Sequence, residues 1–257
     1  MNSAQIWISF KTIVRREIRR FMRIWPQTLL PPAITMSLYF VIFGTLIGSR
    51  IGQMGGFDYM QFVVPGLIMM AVITNSYSNV VSSFYSAKFQ RSVEELLVSP
   101  TPNWVILSGY VFGGVCRGLA VGLIVTILSL FFSKLQVSHL GLTIAIVLMT
   151  SIFFSLAGFI NAVFANSFDD ISIIPTFVLT PLTYLGGVFY SIDLLSPFWQ
   201  AVSKLNPVLY MVNAFRYGIL GVSDINIAWA FAGMLVFIIV LVAVCLHLME
   251  HGKRLRH

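Results

Sequence analysis

Arg117 lies about midway along an otherwise uncharged apolar run, residues 104–132. A charge at the centre of a bilayer costs at least about 2.5 kcal/mol on insertion scales, so this guanidinium must face protein or a watery cavity. We therefore assign it to a candidate polar pathway together with Asn75 and Asn161. A structural role is an equally good interpretation, in which backbone carbonyls or the side chains of Asn75, Asn79 or Asn161 satisfy the guanidinium.

The carboxylates and histidines are poorly placed for ion coupling or catalysis. An ion-coupled transporter would need carboxylates or a histidine relay inside its spans. The acidic residues instead fall outside the apolar runs or at their ends: Glu17, Asp58, Glu94, Glu95, Asp169, Asp170, Asp193, Asp224 and Glu250. The histidines are scattered, and the HExxH and GxSxG motifs are absent. The sequence predicts no catalytic residue, metal site or cofactor in this chain.

The composition is that of an integral membrane protein. Of the 257 residues, 58% are hydrophobic and only 10% are charged, and the mean hydropathy is +0.89. Soluble domains have about 45–50% apolar and about 25% charged residues. We therefore expect a single all-α membrane domain over residues 1–257. The net charge of +7 does not indicate nucleic-acid binding, because the basic residues are explained by their positions around the spans.

Six apolar runs approach the roughly 20 residues that a transmembrane helix needs. They occupy residues 24–49, 59–87, 104–132, 140–165, 171–190 and 227–248. Three prolines, Pro26, Pro31 and Pro32, indicate that the first membrane helix begins near Thr28, after a break in the preceding helix.

Lysines and arginines predict the orientation, because cytoplasmic loops carry an excess of them. Six spans put both termini on one side, together with two loops. That side holds eleven basic residues: Lys11, Arg15, Arg16, Arg19, Arg20, Arg23, Lys88, Arg91, Lys253, Arg254 and Arg256. The opposite side holds four: Arg50, Lys134, Lys204 and Arg216. Both termini are therefore predicted to be cytoplasmic, with an amphipathic helix over 1–27, six spans within 28–248 and a tail over 249–257.

The N-terminal segment has the pattern of a helix lying at a membrane surface. Its apolar residues recur at helical spacing, and its bases fall on a different side: Ile6, Phe10, Ile13, Phe21 and Ile24 against Lys11, Arg15, Arg19 and Arg23. This pattern favours an interfacial helix on anionic membrane lipid. The alternative, compatible with it, is that the bases only set the topology.

A charged stretch, RSVEELLVSPTPNW at residues 91–104, is longer and more varied than a simple turn requires. Residues 92–98 favour a helix with Glu94 and Glu95 near its start, and Pro100 and Pro102 prevent its continuation into the third span. We predict a short helix parallel to the membrane. It is either a docking surface for another protein or an ordinary solvated loop.

Two motifs resemble the ABC-2-type permeases, the membrane subunits of bacterial ABC exporters. One is VEELLVSPTPNW, an acidic-Leu-Leu pattern before Ser/Thr-Pro, and the other is LNPVLYMVNAFRYGILG near the C-terminus. The likeness extends over nearly the whole chain. It implies a half-transporter of the bacterial inner membrane that pairs with a second copy of itself and with two ABC ATPase subunits. Those subunits would bind ATP and Mg, since a GxxxxGK[ST] loop is absent here.

The resemblance also implies roles for individual residues. A coupling helix would contact the ATPase through Arg91, Glu94, Glu95, Leu96 and Leu97. The connector over 191–226 would form two short re-entrant helices whose outer gate includes Asn206, Pro207, Tyr210 and Arg216. An interfacial anchor without a gating role fits the connector as well. The substrate is not specified, and an ion-coupled secondary transporter or a structural membrane subunit is the alternative function.

Gly114, Gly118 and Gly122 repeat every four residues and so line one face of the third span. A face of small residues lets two helices approach closely. We favour packing within the chain over packing against a second copy.

Overall fold

The computed structural model describes residues 2–251, so Lys253, Arg254 and Arg256, and most of the predicted tail over 249–257, lie outside the described residues. The helices are α1 (Ser3–Arg23), α2 (Trp25–Ile51), α3 (Tyr59–Phe89), α4 (Ser92–Val98), α5 (Asn103–Ser129), α6 (Leu140–Phe164), α7 (Asp170–Leu185), α8 (Pro197–Lys204), α9 (Pro207–Leu220) and α10 (Ile227–His251). Two short strands, β1 (Gln53–Met54) and β2 (Phe57–Asp58), pair antiparallel between α2 and α3. A 3₁₀ turn (Ile192–Leu194) precedes α8.

Five of these helices, α2, α3, α5, α6 and α10, are long and apolar enough to cross a membrane. The predicted all-α membrane fold is therefore confirmed. The fifth predicted span corresponds to α7, which is a shorter apolar helix. At 1.5 Å per residue it reaches about 24 Å, against a hydrocarbon core of about 30 Å. The sixth span therefore stays a prediction.

The fifth predicted span, over 171–190, extends beyond the end of the helix that the structure has there. The helix stops at Leu185, because Gly186 and Gly187 follow it and Gly187 adopts a φ of +70°. Only glycine enters that left-handed region without a steric penalty. A π-helical turn over Pro175–Leu179 also interrupts the regular α-helix of α7.

The predicted break before the first membrane helix is present, but it lies earlier than Thr28. The chain leaves helical geometry at Ile24, and α2 begins at Trp25 with Pro26 in its first turn. A second irregular residue, Leu29, precedes Pro31. Proline fits the first turn of a helix because the amide that it lacks has no partner there. The segments of α2 are Trp25–Thr28, Leu30–Val41, a π-helical stretch Ile42–Ile47, and Gly48–Ile51.

Helix α3 forms the centre of the described molecule. In its most apolar stretch 83% of residues are buried, whereas the figure is 11% for both α2 and α10. Helices α5 and α6 pack along most of its length, and α9 covers part of it. The apolar faces of α2 and α10 that remain uncovered are suited to lipid or to another chain. Any displacement of α3 must therefore be transmitted to most of the core.

The three glycines on α5 face other helices of the same chain. A Cβ added to Gly114 would overlap Ser155 and Val80, one at Gly118 would overlap Ser76, and one at Gly122 would lie 2.7 Å from Val72 Cγ2. These partners belong to α3 and α6. The glycines thus allow the close approach of α5 to the central helix.

Replacing Gly118 by valine is expected to destabilise the protein by about 1–3 kcal/mol, because the added methyl groups must displace α3 from α5. The matched control is Gly233→Val on α10, where an added Cβ meets nothing within 4 Å. Thermal unfolding in mild detergent measures both variants. Equal melting temperatures for Gly118→Val and Gly233→Val would contradict the packing described here.

Candidate functional site

The predicted short helix is present as α4, over Ser92–Val98. Its preceding residue Arg91 has a φ of 59° and donates its backbone N–H to the carbonyl of Lys88 at 2.9 Å, so the chain turns tightly out of α3. Glu94 and Glu95 lie in the first turn, where carboxylates stabilise the partial positive charge of a helix N-terminus. At the other end, Ser99 Oγ donates to the carbonyl of Leu96 at 2.6 Å.

The outward face of α4 differs in part from the expected one. Val93 is buried, whereas Leu96 and Leu97 are half-buried against the hydrophobic core of the same chain. Glu95 is exposed, and Val98 is 88% exposed. Sequence analysis missed Val98, although Arg91, Glu95 and Val98 follow the i, i+4, i+7 spacing of one helical face.

A second loop lies beside the end of α3. Phe168, between α6 and α7, packs against Tyr85 at 4.9 Å and Phe89 at 5.2 Å between ring centroids. Lys88 Nζ donates to the carbonyls of Val163 at 2.7 Å and Ala165 at 2.8 Å, which ties the end of α6 to α3. Phe89 and Phe168 nevertheless remain 66% and 51% exposed.

Apolar and acidic side chains that are exposed or, for Glu94, half-buried thus collect where α3 passes into α4. We call the set Phe89, Glu94, Glu95, Val98 and Phe168 the docking surface, after the role that sequence analysis predicts for this segment. Exposed aromatic and aliphatic groups of this kind typically mark protein interaction sites. The contact between Phe168 and Phe89 could not be predicted from the sequence, because the two residues lie in different segments and no helical spacing relates them.

Helix α1 carries a buried carboxylate that sequence analysis had placed only among residues outside the spans. Glu17 is 1% exposed and packs against Gly113 of α5. Its carboxylate accepts a hydrogen bond from Ser83 Oγ at 2.6 Å and ion pairs from Arg16 and Arg20, each at 3.4 Å. A signal was available, because Glu17 lies four residues after Ile13 and four before Phe21, on the apolar side of the helix.

Helix α3 presents polar side chains at four-residue intervals, Asn75, Asn79 and Ser83, which we call the polar ladder. Ser83 donates to Glu17, and Asn79 accepts from Arg20 Nη2 through its side-chain and backbone oxygens, at 2.8 and 3.0 Å. Hydrogen bonds to charged groups are stronger than neutral ones. The ladder therefore attaches the N-terminal helix to the central helix.

Arg117 contacts Asn75, the remaining member of the polar ladder. Its Nη2 donates to Asn75 Oδ1 at 3.2 Å and to the carbonyl of Thr28 at 3.4 Å. Asn161 instead donates to the carbonyl of Ile171 at 3.4 Å. Of the three predicted pathway residues, the structure therefore brings Arg117 and Asn75 together by a hydrogen bond. These contacts give Nη2 the partners that a structural role requires, whereas Nε of Arg117 is buried without a partner among the described residues.

Replacing Glu17 by alanine is expected to lower stability by about 1–3 kcal/mol, because Ser83 loses its acceptor and two arginines lose their carboxylate. The control is Glu250→Ala, since Glu250 is an exposed carboxylate at the end of α10. Thermal unfolding in detergent compares the two. A Glu17→Ala protein that melts at the wild-type temperature would mean that the buried carboxylate does not hold α1 in place.

At the opposite end of the molecule, Arg216 of α9 is buried, with 1% exposure. Its Nη2 donates to the carbonyl of Gly187 at 2.6 Å, its Nε donates to the carbonyl of Phe62 at 3.3 Å, and its guanidinium lies 3.8 Å from the centroid of the Phe62 ring. Carbonyl dipoles and an aromatic face both attract a cation. Arg216 therefore joins α9 to α3 and to the loop after α7.

The other predicted gate residues hold the start of α9. Asn206 Oδ1 accepts from the backbone N–H of Val208 at 2.9 Å, and its Nδ2 donates to the carbonyl of Leu182 at 2.6 Å. Pro207 occupies the first helical position, and Tyr210 Oη donates to the carbonyl of Lys204 at 2.8 Å. The cap is one that the Asn-Pro sequence favours.

Residues 186–190, which we call the outer loop after the predicted orientation, are held between α3 and α9. A Cβ on Gly66 of α3 would lie 2.5 Å from the carbonyl oxygen of Val188, so glycine is required for this approach. Val188 is fully buried. Tyr59 Oη donates to the carbonyl of Phe189 at 3.2 Å, and the Phe189 ring stacks on Phe43 at 4.7 Å. The outer loop is thus packed against α2, α3 and α9.

Within residues 2–251, no three His, Cys, Asp or Glu side chains come together in a way that could hold a metal ion.

Comparison with known proteins places these features in a family. The model of the ABC-2 type transporter family matches residues 8–220, a stretch that includes α4 and all of α9. The chain is 61% identical over 251 residues to a protein named inner membrane transport permease YadH in Escherichia coli K12, covering 97% of this chain and 98% of that one. It is 22% identical over 223 residues to nodulation protein J of Neorhizobium galegae, covering 86% and 85%. The chain belongs to the ABC-2 type transporter family.

Proposed function

We propose that the chain is the permease subunit of an ABC exporter of the bacterial inner membrane. It forms the substrate pathway together with a second copy of itself, and separate ATPase subunits, which bind ATP and Mg, drive it. The observation that carries the proposal is the docking surface, in which Glu95 and Val98 point outward while Val93 anchors α4 to the core. The name of the protein at 61% identity, inner membrane transport permease, supports both the location and the transport role.

Helix α3 is the element suited to carry motion across the membrane. Its 31 residues extend about 46 Å at 1.5 Å per residue. One end continues through the Arg91 turn into α4, and the other approaches the outer loop at Gly66. A movement imposed on α4 by the ATPase would thus displace the polar ladder and the support of the outer loop together. Packed cores respond to such shifts by switching arrangements rather than by deforming continuously.

The proposed membrane placement follows the predicted orientation. The docking surface and both termini lie in the cytoplasm, α7 serves as a sixth, short span, and α8 and α9 re-enter the membrane from the outer side. The uncovered apolar faces of α2 and α10 contact lipid and the second copy. Helix α1 lies on the inner leaflet, where its exposed Trp7 and Ile8, each 62% exposed, suit the headgroup boundary.

Purification of the tagged permease in mild detergent tests the proposal. Mass spectrometry of the copurifying proteins should identify an ABC ATPase with a phosphate-binding loop. Native mass spectrometry should then give a complex of two permease and two ATPase chains. A permease that purifies with no ATPase under conditions that preserve the dimer would favour an ion-coupled transporter or a structural subunit instead.

A further inference from the structure

The outward side of α1, whose bases favour anionic membrane lipid in general, carries a defined groove of about 800 Å³. Five arginines line it: Arg15, Arg16, Arg19, Arg20 and Arg23. They recur at three- and four-residue intervals and therefore stay on one side of the helix over two turns. The residues that line the groove, all within the described chain, include no carboxylate.

The positive charge of this groove is largely uncompensated. The acidic residue of α1, Glu17, is buried on the side that packs against α5, and its ion pairs are with Arg16 and Arg20. Among residues 2–251, Arg15, Arg19 and Arg23 form no ion pair within 4.0 Å. Five guanidiniums share this one buried carboxylate, so a strong positive potential remains along the groove.

Two of the guanidiniums are already held in place. Arg16 Nη2 donates to Tyr110 Oη at 2.6 Å, and Arg20 Nη2 donates to both oxygens of Asn79. Their side chains are still 45% and 32% exposed, so both remain partly open to a ligand. Donors that are held before binding lose less side-chain entropy when the ligand arrives.

The level of the groove relative to the membrane restricts which ligands can occupy it. Helix α2 begins at Trp25, two residues after Arg23, so the groove lies beside the start of a span. Met22 and Trp25, next to the groove, are 49% and 53% exposed, and Trp7 near the other end of α1 is 62% exposed. Exposed tryptophans and aliphatic groups at this level are typical of the lipid headgroup region.

We propose that the groove is a site for the phosphate headgroup of an anionic phospholipid, saturable at one lipid per chain. Guanidinium groups bind phosphate through paired N–H donors, and turns of α1 present several such groups to one anion. The inference rests on the proposed placement of α1 at the membrane surface, but it does not require the ATPase. Diffuse attraction to a charged surface would instead be non-saturable and insensitive to which bases are removed.

The test is a titration of the purified permease, without ATPase, with phosphatidylglycerol, followed by native mass spectrometry. The key variant is Arg15→Gln/Arg19→Gln/Arg23→Gln, which leaves the two tied arginines intact. Its control is Arg50→Gln/Lys134→Gln/Lys204→Gln, which removes the same charge from exposed positions at the other end. Melting temperatures first establish that both variants are folded.

We expect one tightly bound phosphatidylglycerol per wild-type chain, unchanged in the control and weakened at least about tenfold in the arginine variant. Phosphatidylethanolamine should bind more weakly, because its headgroup has no net charge. The site would be overturned if the arginine variant bound phosphatidylglycerol as tightly as wild type. It would also be overturned if the control lost as much binding as the arginine variant. Competition by free glycerol phosphate at the same concentrations as the lipid would show that the ligand is a soluble phosphate and overturn the lipid assignment. Because no ATPase is present, failure of the exporter proposal would leave these results unchanged.

Discussion

The double variant Glu94→Lys/Glu95→Lys is expected to lose the ATPase during purification, with retention reduced at least about tenfold. Like charges brought together in an interface cost several kcal/mol, and each 1.4 kcal/mol corresponds to a tenfold change in affinity. The fold should survive, because Glu95 is exposed and Glu94 only partly buried. The loss of two carboxylates from the first turn of α4 should cost about 0.3–1 kcal/mol each.

The control for this variant is Asp58→Lys/Asp193→Lys. Both aspartates are exposed and lie outside the docking surface, and the change in charge is identical. The amount of copurifying ATPase is measured for both variants at matched membrane levels of permease. Full ATPase retention by the Glu94/Glu95 variant would mean that α4 does not contact the ATPase through its acidic first turn.

Replacing Arg216 by methionine is expected to release the outer loop. The change leaves the carbonyls of Phe62 and Gly187 without their buried donor, at about 1–3 kcal/mol for each unsatisfied group. Replacing Arg216 by lysine should hold the outer loop only in part, because lysine lacks the planar fork that reaches two carbonyls at once.

The readout is the accessibility of the outer loop rather than stability alone. Cys116 and Cys245 are first replaced by alanine, and Val188→Cys is introduced at a fully buried position. A membrane-impermeant thiol reagent should label that cysteine at least about tenfold faster in the Arg216→Met background. Arg50→Met, at an exposed position on the same predicted side, is the control. Slow labelling in both backgrounds would show that Arg216 does not secure the loop.

Much of the architecture could be predicted, because a bilayer restricts what a chain can do. Long uncharged runs form helices in lipid. The boundaries of α3, α6 and α10 lie within a few residues of the ends of those runs. The existence and bounds of α4 were predictable, since helix-favouring residues are followed by Pro100 and Pro102. Which face of α4 points outward was harder to predict, because Leu96 and Leu97 suit packing against the same chain as well as contact with another protein.

The contacts of the buried charges were not predictable in the same way. Arg216 and Arg117 bind backbone carbonyls of Gly187, Phe62 and Thr28, and every residue offers such an acceptor. The length of α7 depends on the left-handed conformation of Gly187, which tertiary contacts of the outer loop select. Such features arise from packing between distant segments, and a local pattern carries little trace of them.

The most direct test of the coupling proposal is a photocrosslink from the docking surface. A photoreactive amino acid is placed at Val98, which is 88% exposed on α4, and in a separate protein at Phe131, which is 81% exposed beyond the end of α5. The two positions are similarly exposed and apolar but lie at opposite ends of α5. Irradiation of cells should crosslink an ABC ATPase from position 98 and not from position 131. An ATPase captured from position 131 and absent at position 98 would contradict the proposal that α4 receives the nucleotide-driven motion.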